Sequence, residues 1–406
     1  VSGALALLRR PETIRARCHA LLALAERDAL PHFTFHPTRL PAAADYVTET
    51  IRQNYPDLRI PYHARWRHFA AGGVDRWGAL AARLAGEGTE AVARRRIDLC
   101  VVSVLLDAGA GPAWSFTEPD GTRTNRSEGL AVASLHGFAA GLFSSDPADP
   151  LRVDAEALLA LDTARLGAAF QHAPGNPLEG LEGRAALMRN LGAALLRAPA
   201  LFGAAPARPG RLFDYLRARA TPEGLPAAAI LAALLEGLAP VWPARLSLEG
   251  ENLGDVWRHP LAAPEGPAAG LVPFHKLSQW LSYSLAEVLE EAGLPVTGLD
   301  ALTGLPEYRN GGLLLDLGVL ALRDPTLARQ TLPADHPAIV EWRALTVALL
   351  DRLAELVRAR LGLDAAALPL ARVLEGGSWA AGRRIARAMR PDGGPPLTLA
   401  SDGTVF

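Results

Sequence analysis

The stretch AIVEWRALTVALLDRLAELVRARL, residues 338–361, decides how the chain is to be read. Trp342, Leu345, Leu349, Leu353 and Leu356 recur three or four positions apart, so in an α-helix they share one stripe, and a stripe that apolar must face a core. Outward from it, residues 96–107, 127–143, 154–171, 182–196, 227–238, 275–292 and 368–389 are long enough and rich enough in Ala, Leu and Arg that each predicts a helix. Strand signals are short. FTEPDGTRT, residues 116–124, carries an Asp-Gly turn that predicts a small hairpin, and the tail LTLASDGTVF reads as an edge strand. The expected fold is mainly α: a compact multi-helix architecture with one or two small β-hairpins.

The breakers between these helices fall at residues 144–150, 172–177, 204–210 and 259–273, all within the length of ordinary connections. The chain therefore reads as one domain over residues 1–406, with two helical lobes, about 1–210 and 211–406, around a cleft as the finer expectation. Half of the 406 residues are hydrophobic and 21% are charged, which is globular composition. A net charge of -2 offers no field for a polyanion or an acidic membrane, so nucleic acid is not expected as a partner. Two cysteines, Cys18 and Cys100, are too few for a disulfide framework or a thiolate zinc site. Apolar runs stop short of the ~18 residues that a membrane span requires. In the opening VSGALALLRR, arginines follow the apolar patch, the reverse of a secretory signal. These readings place the protein in the cytoplasm, away from membranes.

Among 41 Lys and Arg residues there is a single lysine, Lys276. Where almost every generic cation is arginine, the one ammonium marks a place for a compact or titratable donor. Lys276 lies in VPFHKLSQWLSYSL, residues 272–285, where Pro273 comes just before a helix whose core stripe is Leu277, Leu281, Leu285 and Val288. Lys276, Gln279, Trp280 and Tyr283 then share a neighbouring face, read either as a pocket wall or as a half-exposed edge with Lys276 reaching for solvent. Further on, LTGLPEYRNGGLLLDLGVL, residues 302–320, sets Glu307, Tyr308, Arg309 and Asn310 between glycines that permit close backbone approach. Glu307 there is either a catalytic carboxylate or a group that complements the following helix and pairs with Arg309.

IPYHARWRHF, residues 60–69, concentrates His63, Arg65, Trp66, Arg67 and His68, a set that suits a phosphate, a base or a helical surface. His63 with His68, or His32 with His36, could begin a metal site, but neither pair has a carboxylate or cysteine nearby in sequence. NRSEGLAVASLHGF, residues 125–138, starts a helix at Asn125 or Ser127 and offers Arg126, Glu128 and His136 to a pocket. No Walker loop, dinucleotide fingerprint, GxSxG elbow or HExxH helix occurs, and the glycines of LEGGSWAAGRR precede helical residues. No cofactor is expected.

Together PYHARWRHF, NRSEGLAVASLHGF with FSSDPADPLRVDA, VPFHKLSQWLSYSL, LTGLPEYRNGGLLLDLGVL, LEGGSWAAGRR and the terminal SDGTVF resemble the uracil catabolism protein 4 family over nearly the whole chain. That resemblance implies a place in a uracil-degradation route through uridine nucleotide and ribosylurea-type intermediates that releases urea. FHKLSQWLSYSL, PEYRNGGLLLDLGVL and EWRALTVALLDRLAE are more distantly similar to the queuosine-phosphate nucleosidase family of helical N-glycosylase-type proteins. The second resemblance implies Lys276 and Glu307 as catalytic residues, with Tyr308 and Arg309 beside them. Here Glu stands for the expected Asp, and Asn310-Gly311 follows the triplet.

The expected reaction is hydrolysis of the N-glycosidic bond of a ribosylurea, or its 5'-phosphate, to urea and ribose or ribose 5-phosphate. Its partner is thus a small nucleoside or nucleotide derivative. His275, Gln279 and Tyr308 are candidate donors to the ureido group, Trp280, Tyr283, Asn310 and Trp379 candidate pocket residues, and Arg126 and Glu128 further ones. Two alternatives are a metal-dependent amidohydrolase acting on a ureido or amide bond, with His63 and His68 as ligands, and a non-catalytic helical binding partner in the same pathway.

Overall fold

The computed structural model describes residues 3–263, 265–266 and 268–400, and its architecture is predominantly helical. The terminal SDGTVF motif lies outside the described residues. Two compact units organise the chain by interleaving rather than by halves. The first takes the segments up to His63, Leu246–Gln279 and Gly298–Ala400; the second takes Ala64–Arg245 and Trp280–Thr297.

In the first unit the helix Pro337–Leu361 is the centre, as its apolar stripe predicts. Every residue of 338–350 is buried, so that half of the helix is enclosed on all sides. The helices Pro11–Glu26 and Leu40–Asn54 pack against it. Such enclosure leaves no water for a charge, and Glu341, fully buried, is accordingly held by His32 Nδ1 at 2.8 Å and His259 Nε2 at 3.0 Å. Trp342 lies over Gly311, donating its indole N–H to the Gly311 carbonyl at 3.0 Å; a Cβ at Gly311 would sit 2.7 Å from the indole. Small antiparallel pairs, Phe33–Phe35 with Leu320–Leu322 and Val256–Arg258 with Leu271–Pro273, close the unit, and Thr398–Leu399 from the tail pairs in parallel with Thr331–Leu332.

The second unit gathers the helices Thr89–Leu105, Arg126–Ala139, Leu181–Arg197 and Ala227–Leu238. Arg65 is fully buried in it, and its guanidinium donates to Ser103 Oγ at 2.7 Å, Asp107 Oδ1 at 2.5 Å and Ser127 Oγ at 3.1 Å. The Asp-Gly hairpin forms as expected, Ser115–Thr117 against Arg123–Asn125. Among the described residues no helix is long and apolar enough to cross a membrane.

Three helices depart from the reading of the sequence. Residues 154–171 form two, Ala155–Leu159 and Thr163–Ala169, because Asp162 accepts the Arg165 amide at 2.7 Å and restarts the helix as its N-cap. Residues 368–389 are interrupted: Leu370–Val373 is α-helical, Leu374–Ser378 winds as a π-turn, and Trp379–Met389 is α-helical again. Residues 276–286 of the helix Lys276–Glu291 are all buried, so Lys276, Gln279, Trp280 and Tyr283 do not form a half-exposed edge, and exposure begins only at Glu287, Glu290 and Glu291.

Candidate active site

Glu307 is positioned from both sides. Ahead of it, Thr303 donates its amide to Gln279 Oε1 at 2.8 Å and Gln279 Nε2 donates to Thr303 Oγ1 at 2.6 Å, which pins the run that leads into the helix Tyr308–Asp316. Behind it, the carboxylate caps that helix: Oε2 accepts the Arg309 amide at 2.6 Å and Oε1 the Asn310 amide at 2.5 Å. The helix-complementing half of the expectation is thus observed. The pairing with Arg309 is not, because the Arg309 guanidinium donates to the Gly393 carbonyl at 2.7 Å. Glu307 is only 8% exposed, and burial raises its carboxyl above the usual carboxylate range despite the two amides and the nearby Lys276 and His63, which act the other way.

Lys276 arrives by a different construction. The strand pair Val256–Arg258 with Leu271–Pro273 ends at Pro273, and His275 takes a left-handed backbone, φ 49°, to turn the chain into the helix that Lys276 begins. Asp255, just before the first strand, holds this corner. Its backbone carbonyl accepts the Phe274 amide at 2.9 Å and its carboxylate the Lys276 amide at 2.9 Å, while Arg343 grips the same carboxylate at 2.7 and 2.9 Å. Desolvation works to raise the Asp255 carboxyl, but Arg343, the Trp257 indole and the Lys276 amide outweigh it and hold the group well below the usual carboxylate range. His275 Nε2 lies 3.1 Å from the Leu8 carbonyl, and burial lowers the imidazole below its ordinary value.

A third element brings a pair that sequence spacing concealed. The π-turn Leu374–Ser378 carries Glu375, whose Oε2 lies 2.7 Å from His63 Nδ1. His63 is tied by its backbone as well, its amide donating to the Ala371 carbonyl at 2.9 Å. The Trp379 ring stands 5.5 Å from the imidazole, centroid to centroid, tilted by 43°. Glycine is needed in the turn, since a Cβ at Gly376 would lie 2.9 Å from Ile60 and one at Gly377 2.7 Å from Val47. Next to the turn, the helices Tyr308–Asp316 and Trp379–Met389 cross closely at Gly382, where a Cβ would fall 2.2 Å from the Arg309 carbonyl oxygen.

Lys276 and His63 are therefore each near enough to Glu307 to act on it electrostatically, with Glu375 beside His63. In the same unit Tyr308 is half-buried with the Arg309 guanidinium 4.9 Å from its ring centroid, and Asn310 donates Nδ2 to the Leu305 carbonyl at 3.1 Å. The buried Asn310 Oδ1 and Ser378 Oγ have no hydrogen-bond partner among the described residues. Trp280, Tyr283, Arg126 and Glu128 belong to the second unit. There Trp280 is buried with the His68 ring 5.3 Å away, Tyr283 is fully buried, and Arg126, exposed at φ 54°, begins the helix whose first turn holds Glu128. His63 and His68 thus fall in different units, and His32 takes Glu341 as its partner. Among the described residues no three His, Cys, Asp or Glu groups are arranged to hold a metal ion.

Glu375, Asp255 and Arg343 are the residues that sequence reasoning did not single out. The only signal for Glu375 was a lone carboxylate ahead of two glycines in LEGGSW; for the other two there was none, as their partnership spans 88 positions.

A family model described as "Protein of unknown function (DUF1688)" matches residues 7–406. The chain is 42% identical over 410 aligned positions to "Protein urg3" of Schizosaccharomyces pombe, covering 97% of each chain. It is 41% identical over 408 positions to "Uracil catabolism protein 4" of Lachancea kluyveri, covering 92% of each.

Proposed function

The chain belongs to the DUF1688 family, and from that membership and the names of its relatives we propose that it is an enzyme of uracil catabolism that hydrolyses the N-glycosidic bond of a ribosylurea, as its 5'-phosphate, to urea and ribose 5-phosphate. The observation that carries the reading is Glu307: a buried carboxylate, fixed by two backbone amides, with the chain's one ammonium group close by. Cleavage of a glycosidic bond passes through an oxocarbenium-like transition state, which such a carboxylate stabilises while it takes a proton from the attacking water. The water oxygen bonds to the anomeric carbon, the carbon–nitrogen bond breaks, and the ureido nitrogen leaves with a proton as urea. Lys276 has two uses here. It favours the ionised form of Glu307, and it supplies a compact cation for the sugar phosphate. Gln279, whose side chain is committed to Phe274 and Thr303, serves by fixing the approach to Glu307.

The test is direct. Metal-free protein is incubated with synthetic ribosylurea 5'-phosphate and, separately, with uridine 5'-phosphate, and free urea and ribose 5-phosphate are assayed. Both products from the first substrate alone are expected, and Glu307→Gln should lower turnover by about 100-fold or more while circular dichroism stays that of the wild type. Wild-type protein that releases no urea, or a Glu307→Gln variant of undiminished turnover, would sink the assignment. Ammonia released in place of urea, and only with added zinc, would instead support amide-bond hydrolysis.

A further inference from the structure

We propose that His63 is the acid that protonates the leaving nitrogen and that Glu375 is its positioning residue, a role that rests on the glycosidic hydrolysis proposed above. The need for such a group is chemical. A ureide anion is a poor leaving group, and Glu307 cannot take the proton of the attacking water and deliver one to the departing nitrogen in the same step. A second proton carrier is required, close to Glu307 but distinct from it.

The His63–Glu375 pair has that placement. Its side chains are 4% and 10% exposed, and they meet at 2.7 Å across 312 positions of sequence. A carboxylate oxygen accepts the hydrogen bond, so the imidazole donates from Nδ1, which fixes the ring's orientation. The proton to be passed to the leaving nitrogen is then the one on Nε2, at the opposite edge of the ring. The π-turn that holds Glu375 packs against the helix Tyr308–Asp316, which Glu307 caps, so packing within one unit brings the pair toward Glu307, and His63 acts on that carboxyl electrostatically. The indole of Trp379 lies along the same imidazole. Glu375, moreover, is presented by a π-turn, a local widening of the helix that is less favourable than continued α-winding and recurs where a side chain must be aimed. Burial of a His–carboxylate pair is a weak device for stability, because desolvation offsets most of the attraction. A widened turn with two obligatory glycines and a desolvated pair is better explained by aim than by packing.

The step balances. The carbon–nitrogen bond electrons go to nitrogen as it takes the Nε2 proton, water oxygen bonds to the anomeric carbon, and Glu307 takes a water proton. Solvent then returns that proton from Glu307 to His63.

The experiment separates protonation from packing by the leaving group. Wild type, His63→Gln, Glu375→Gln and Glu375→Asp are compared on ribosylurea 5'-phosphate and on p-nitrophenyl riboside 5-phosphate, whose phenolate departs without an acid. For His63→Gln, kcat on the ribosylurea should fall by about 100-fold or more, the scale of lost general-acid catalysis, and by much less on the aryl substrate. Glu375→Gln should share this selective loss with KM little changed, and Glu375→Asp should recover part of it. A proton NMR resonance far downfield, from the His63 Nδ1–H bonded to carboxylate, should vanish in both His63→Gln and Glu375→Gln. Equal losses on the two substrates, undiminished ribosylurea turnover in His63→Gln, or absence of that resonance in the wild type would each overturn the proposal. Wild type without urea release would overturn the reaction itself, a result plainly distinct from active wild type with an indifferent His63.

Discussion

At Glu307 two demands act on one carboxylate. Capping the helix favours the ionised form, as do Lys276 and His63, yet removal from water outweighs them and leaves the carboxyl easier to protonate than an exposed glutamate. If Glu307 is the base, it must be ionised to work, so kcat/KM rises with pH through that elevated value. Lys276→Met removes one of the charges favouring ionisation. The acid limb of the pH–kcat/KM profile should therefore move to higher pH in this variant, and a limb that stays put or moves down would show that Lys276 does not act on Glu307. Stability has the opposite slope. Since the folded value is the higher one, the contribution of Glu307 to folding is full below the ordinary carboxylate range and is lost as pH rises through the folded value. Glu307→Gln escapes that loss, so its unfolding midpoint relative to wild type should climb from acid to neutral pH, read by thermal denaturation followed by circular dichroism.

Among elements, the π-turn Leu374–Ser378 shows best what sequence conveys and what it withholds. Residues 368–389 have the composition of a continuous helix, and hydrophobic spacing cannot reveal one extra residue in a turn. The glycines that allow the turn were visible, but their partners Ile60 and Val47 lie more than 300 positions away. Similarly, the helix Lys276–Glu291 was legible in length and register, whereas the burial of all of residues 276–286 depends on neighbours that its own periodicity does not name. Glu307 and Lys276 could be picked out because each sits in a short motif with a local peculiarity, a glycine-bounded acid and a sole lysine. Glu375 and Asp255 could not, since what distinguishes them is a distant partner. A test belongs to this scale too. Gly377→Ala places a methyl 2.7 Å from Val47 Cγ1, so either the turn or the helix Leu40–Asn54 must shift. The expected loss is about 1–3 kcal/mol of stability, the usual range for overpacking, and chemical denaturation measures it. Weakening of the downfield His63 Nδ1–H signal in the same variant would show that the turn aims Glu375; an unchanged signal would show that it does not.

Taken whole, the molecule has one lysine against a field of arginines, and this turns a general amine reagent into a probe of one site. Lys276 is 7% exposed, its backbone held by Asp255 and its side chain near Glu307. If Lys276 anchors the sugar phosphate, a reagent such as acetic anhydride reaches it by the ligand's own route; otherwise it must wait for the surrounding structure to open. These routes differ in their response to a ligand and to denaturant. By the ligand's route, modification is blocked by ribose 5-phosphate and indifferent to low urea; by local unfolding, it accelerates with urea in proportion to the surface exposed. Quantified by mass spectrometry of the peptide containing Lys276, native protein should be modified at least about tenfold more slowly than unfolded chain, as expected for a residue shielded by folded structure. Ribose 5-phosphate should slow it further, with little effect from urea below the unfolding transition. Modification as fast as in the unfolded chain would contradict the burial of Lys276, and insensitivity to ribose 5-phosphate would remove Lys276 as the phosphate anchor while leaving Glu307 to be judged on its own turnover.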